Sequence, residues 1–187
     1  MADVIYQGLD KGTITPGQAA GSTGSNVTQC LKNMITVSDN ACGMALGSII
    51  GWDSQNSSLH AVGFTHTLLR GSDSEQTSAS DVAQLLQRLY EGTLLSPASS
   101  SAFITLLKAQ KINDRLPVGL PAGTVIAHKT GDLNGLIHDA GIVYTPHGDY
   151  VVVALTGPWS APGAAPAWFS ELSSQLYAGI TAPPASH

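Results

Sequence analysis

Charge is scarce in this sequence. Only 11% of its 187 residues are Asp, Glu, Lys or Arg, whereas 43% are hydrophobic. That balance excludes a disordered chain or a coiled coil, both of which need many charged positions. The formal net charge is −5, and no run of like charges occurs. The basic stripe that nucleic-acid binding requires is therefore missing. No apolar segment reaches the roughly 18 residues that suggest a membrane span. Internal repeats and Gly-rich phosphate loops are absent too. The opening "MADVIYQGLDKG" lacks a basic region followed by an apolar one, so it is not a signal peptide. Cysteine is limited to Cys30 and Cys42, which form neither a C-x-x-C pair nor a metal-like cluster. They either bridge or stand as two buried free thiols.

What is present suffices for one domain with a real core. "ADVIYQGLDKG" reads as the last turns of a buried helix ended by Gly12. A helix that begins in mid-pattern implies sequence upstream of it. Residues 12–25 are rich in Gly, Ser, Thr and Pro and read as a surface loop. Ser25 or Asn26 caps a helix over 27–36. "ACGMALGSIIG" is apolar almost all round and reads as a buried helix. A short helix over 53–60, one from Thr77 or Ser78 to Tyr90, and one from Ser96–Pro97 to about Gln110 follow.

The pattern then changes. "TVIAHKT", "LIHDAGIVYT" and "YVVVALTG" are β-rich runs separated by "GDLNG" and "PHGD", which is turn chemistry. They predict an antiparallel meander. "PAWFSELSSQLYAGI" predicts a final amphipathic helix with Trp168, Leu172, Leu176 and Ile180 on one face. "TAPPASH" reads as a frayed tail. The fold class is α+β, with the last helix laid on the sheet.

Two short stretches carry chemistry. In "ITVSDNACGMALGSIIG", three small polar residues, Ser38, Asp39 and Asn40, stand between apolar flanks. Polar groups so placed need partners, or their burial costs free energy. In "AHKTGDLNGLIHDAG", Lys129, Thr130 and Gly131 lie at the end of the first strand, just before its turn. Lys129 and Thr130 suit a carboxylate through charge-assisted hydrogen bonds, and Gly131 leaves a bare backbone edge for a ligand. His128 and His138 are expected to face each other across the hairpin near Asp139. The same residues read more simply as a paired strand surface, so no metal is assigned.

S-D-N on a helix–helix loop followed by K-T-G on a strand resembles the class A β-lactamase and penicillin-binding-protein (DD-peptidase) family. "MITVSDNACGMAL", "LPAGTVIAHKTG" and "HDAGIVYTP" extend the likeness over nearly the whole chain. The resemblance implies a β-lactamase-like domain over residues 1–180, mainly helical over 13–116, with strands and a last helix over 120–180 and a tail over 181–187. It implies that Ser38 shuttles a proton, Asn40 binds the substrate's amide side chain and Lys129 polarises Ser38. Thr130 would bind the substrate carboxylate, and Asp132 would line the pocket mouth and lend its N–H to an oxyanion hole. Asp39 becomes a structural residue of the loop. The implied ligand is a β-lactam or a D-Ala-D-Ala-like cell-wall peptide, with no cofactor. An extracytoplasmic family also favours a Cys30–Cys42 bridge.

Two departures bear on activity. The family's nucleophile and its lysine form S-x-x-K, and no such motif stands in a matching place. The motif and an N-terminal helix with two strands are expected upstream, so this chain reads as the C-terminal part of the domain. It would then need a complementing segment or a swapped second copy. The acid of an E-x-x-L-N loop is also missing. Glu75, followed by "QTS", is the one comparable acid. A Ser38–Lys129 pair is a conceivable nucleophile and base, although the resemblance gives both residues supporting roles.

Overall fold

The structure is a computed structural model that describes residues 1–71 and 75–182. Five of the seven tail residues, 183–187, lie outside the described residues. Six helices come first: α1 (Ala2–Asp10), α2 (Val27–Thr36), α3 (Asn40–Ile50), α4 (Trp52–Ala61), α5 (Ala79–Tyr90) and α6 (Pro97–Lys108). Three antiparallel strands follow, β1 (Val125–Leu133), β2 (Leu136–Tyr144) and β3 (Tyr150–Leu155), in the order β1-β2-β3, and then α7 (Ala165–Thr181). A 3₁₀ turn, Leu116–Gly119, leads from the helices to the sheet.

The capping expectations hold. Asn26 and Gln29 form a reciprocal capping box on α2. Ser78 and Ser96 cap α5 and α6 through their side chains. Both faces of the sheet are covered. Ile5, Leu31, Leu46, Leu89 and Phe103 meet Ala127, Ala140 and Ile142 on one side. Leu116 and Phe169 meet Val143, Val152 and Ala154 on the other.

Four expectations change. First, β1 does not end at K-T-G. It continues to Leu133, paired with Leu136, and the turn is Asn134–Gly135 alone, with φ of 50° and 81°. Both central residues take the left-handed conformation that a two-residue hairpin needs. Second, α3 is not buried all round: Cys42, Leu46 and Gly47 are covered, but Met44 is 45% exposed. Hydropathy gives no direction when every face is apolar; the link from Cys42 to α2 supplies one.

Third, the fully buried stripe of α7 is Ala165, Phe169 and Ser173; of the expected face, Leu172 and Leu176 pack partly buried against the same core, while Trp168 and Ile180 are exposed. Ser173 is inside because its hydroxyl donates to Leu116 O at 2.7 Å. Gly119 explains the closeness of that contact. A Cβ there would fall 1.9 Å from Ser170 O on α7. Fourth, His128 and His138 do not face each other. Their partners across the hairpin are Gly141 and Gly131. A Cβ at residue 141 would lie 2.6 Å from His128 Cβ, so the imidazole occupies space that only glycine leaves.

Candidate active site

The S-D-N turn is held from three sides. Asp39 caps α3, accepting the Cys42 N–H at 2.9 Å. A disulfide joins Cys30 on α2 to Cys42 on α3, with Cα atoms 4.7 Å apart. The segment after α6 ties down the end of α2: Gln110 Nε2 donates to Ile35 O at 2.7 Å, and the Lys111 N–H donates to Thr36 O at 2.8 Å. Between these ties Ser38 takes φ 57°. That left-handed conformation is unfavourable for a residue with a Cβ, and the surrounding contacts impose it.

Lys129 meets this turn. Its ammonium donates to Ser38 Oγ, across a sequence separation of 91 residues, and to Thr130 O at 2.7 Å. Burial pushes the Lys129 ammonium down to about 8; Arg115 adds to the lowering, and Asp139 and Asp132 oppose it. The S-D-N turn and the K-T-G strand therefore share one place.

The remaining expected residues divide by strand alternation. Gly131 shares the face of Lys129 and pairs with His138. Thr130 and Asp132 take the opposite face. Thr130 is 3% exposed, and among the described residues its hydroxyl has no partner. Asn40 is exposed at the first position of α3, two residues from Ser38. Glu75 is exposed and accepts the Gly71 N–H at 3.2 Å.

Sequence reasoning names His128, His138, Asp139 and Asp132 but misses Arg115 and the polar layer it joins under β1. Arg115, 5% exposed, donates through Nη1 to Gly131 O at 3.0 Å and to His138 O at 2.6 Å. Its Nη2 donates to the Asp132 carboxylate, and Asp114 lies 3.5 Å from its Nε. His128 Nδ1 faces Asp139 Oδ1 at 2.9 Å, and its Nε2 faces Asn113 Oδ1 at 2.9 Å. Asp139 also accepts the Leu116 N–H at 3.2 Å. His138 Nδ1 accepts the Thr156 N–H at 3.0 Å, and partial burial lowers the pKa of this imidazole. These ring nitrogens already have partners, and no group of three or more His, Cys, Asp or Glu that suits a metal gathers among the described residues. The one mark of Arg115 in the sequence is a cation in a loop, in a chain with only eight Lys and Arg.

A sequence model described as the beta-lactamase enzyme family matches residues 6–180. The chain belongs to the beta-lactamase enzyme family. No curated protein matches it. Among solved structures, PBP-A superimposes with a TM-score of 0.86 at 24% identity, over 96% of this chain and 77% of PBP-A. The acyl-enzyme complex of a PBP-A point mutant with penicillin G gives 0.83 at 25% identity, over 96% and 77%. A beta-lactamase from Sphaerobacter thermophilus DSM 20745 gives 0.85 at 21% identity, over 98% and 81%. The family's fold thus accounts for the helices, the sheet and α7 together. No described helix is long and apolar enough to cross a membrane.

Proposed function

We propose that this domain recognises a β-lactam or a D-Ala-D-Ala-like cell-wall peptide, as the binding part of a serine acyl hydrolase. The observation that carries this reading is the bond from Lys129 to Ser38, which joins two motifs far apart in sequence. In this reading Ser38 relays a proton and Lys129 keeps its hydroxyl polarised. Asn40 binds the substrate's amide, Thr130 and Gly131 border the substrate, and the backbone at Asp132 contributes to an oxyanion hole. The 187 residues contain no S-x-x-K in a matching place, so the attacking serine comes from elsewhere and the chain alone turns over no substrate. Without a nucleophile, only residual catalysis from binding and charge stabilisation remains. The disulfide fits an extracytoplasmic location.

A split enzyme is the second form of this reading. Among the described residues β3 is paired only with β2. A cleft of about 530 Å³ beside it is lined by Ala83, Gln87, Ile142, Val151 and Val153. A complementing segment that carries S-x-x-K, or a swapped second copy, has a free strand edge to join there.

Fluorescent penicillin tests both forms. The chain is mixed with a separately made S-x-x-K segment and probed for a covalent adduct. Labelling of the mixture but not of either part supports the split enzyme. A folded mixture without an adduct leaves a binding module. Nitrocefin hydrolysis by the chain alone, surviving Ser38→Ala, would mean that the nucleophile has been misassigned.

A further inference from the structure

Arg115 offers the recognition element best matched to a carboxylate, a planar guanidinium with paired donors. It is almost wholly buried and spans the Gly131–His138 pair beneath β1. One side of it already holds a carboxylate, that of Asp132, a residue of β1 that is 56% exposed. Asp132 and Thr130 share a face of the strand, and the Thr130 hydroxyl is buried there without a partner among the described residues. The guanidinium and the unpartnered hydroxyl lie on the face of β1 away from the Lys129 ammonium and form a place for an anion. Asp132 is the anion that fills it.

We propose that Asp132 is a specificity-determining residue: its carboxylate occupies Arg115 as an internal competitor, and a ligand carboxylate engages Arg115 only by displacing it. The inference rests on the reading of this cleft as a peptide or β-lactam site. Two features make displacement feasible. The Asp132 side chain lies largely in water, so turning away from Arg115 costs it little desolvation. Arg115 is fixed by two backbone carbonyls and stays in place when Asp132 leaves. The consequence is a preference. Ligands with a free carboxylate pay for the exchange, whereas ligands that are neutral at that end do not.

The test compares N-acetyl-D-Ala-D-Ala with its C-terminal amide, each titrated into the folded chain and followed by amide and arginine Nε–H NMR signals. Wild type, Asp132→Asn and Asp132→Glu are measured. Asp132→Asn should tighten the free carboxylate by about tenfold, the scale of one charge-assisted hydrogen bond regained. It should leave the amide within about twofold, the scale of a neutral contact exchanged for another. Asp132→Glu should restore the wild-type ratio, and the tightening should disappear in Asp132→Asn combined with Arg115→Lys. Far-UV circular dichroism and melting establish that each variant is folded; if the double variant does not fold, the Glu variant alone decides. Binding of both probes with an unchanged ratio in Asp132→Asn would overturn the role of Asp132 and leave the proposed function standing. Absence of binding by both probes to every folded variant would overturn the reading of the cleft and this inference with it.

Discussion

The Ser38 hydroxyl accepts a hydrogen bond from Lys129, while the Ser38 backbone sits at φ 57°. The side chain and the backbone of one residue therefore answer to different demands. The turn bends for Asp39 to cap α3, and the hydroxyl is delivered to β1 as a result. Replacing Ser38 separates the two. Ser38→Gly should melt above Ser38→Ala, by an amount equivalent to about 1 kcal/mol, because glycine takes the left-handed conformation without a Cβ clash. Both should lose ligand binding alike. Equal melting temperatures would show that the turn carries no such strain.

Lys129 sets a pH window. Burial lowers its ammonium to about 8 from the ordinary 10.5. Between those values the folded protein binds fewer protons than the unfolded chain, so this residue's contribution to stability rises with pH across the window. Lys129→Met removes the buried charge. Its melting-temperature advantage over wild type should therefore shrink as pH rises from 8 to 10.5, and should be constant below 8. Binding of an anionic ligand should run the other way, falling above pH 8 as the ammonium loses its proton. A flat affinity from about pH 7 to about 9.5 would place the titration elsewhere.

The disulfide closes the loop that contains the S-D-N turn. Reduction, or the pair Cys30→Ser and Cys42→Ser, should cost about 3 kcal/mol in the chain-entropy view. Denaturant melts with and without reductant measure it. Ligand affinity should fall further than stability loss alone predicts, because α2 and α3 then hold Ser38 less firmly.

The pair of His128 and Asp139 is the other buried anchor, with side chains 2% and 0% exposed. Asp139→Ala should destabilise by about 3 kcal/mol, since it strips a buried imidazole and the Leu116 N–H of their acceptor. Urea unfolding of Asp139→Ala and Asp139→Asn separates charge from hydrogen bonding; Asn should recover part of the loss.

Much of this architecture is legible in local chemistry. Asn26, Ser78 and Ser96 declare their helices because a cap acts within one turn of itself. The three strands declare themselves through β-branched runs and turn residues, and the two site motifs through residue types in order. What stays hidden depends on distance. Nothing near Arg115 in sequence indicates that it will lie under Gly131 and His138. The exposure of Trp168 follows from the Ser173 hydroxyl finding Leu116 O, a contact between segments 57 residues apart. The run of β1 beyond K-T-G follows from the Asn134–Gly135 turn, which pairs Leu133 with Leu136 and so pulls Asp132 into the ladder.

Gly119 sits on the outside of the sheet, away from Ser38, with no room for a Cβ against Ser170. It ends the 3₁₀ turn that begins one residue after Arg115. Any side chain at residue 119 must lever that turn off α7, and the turn carries the guanidinium with it. The outer helix is thus a gauge block for the guanidinium: thinning or thickening the contact at residue 119 shifts a cation on the same face of the sheet, while Lys129 and Ser38 on the other face stay untouched. If Arg115 meets a ligand carboxylate as proposed, substitution at residue 119 should change the preference for anions while leaving both motifs intact.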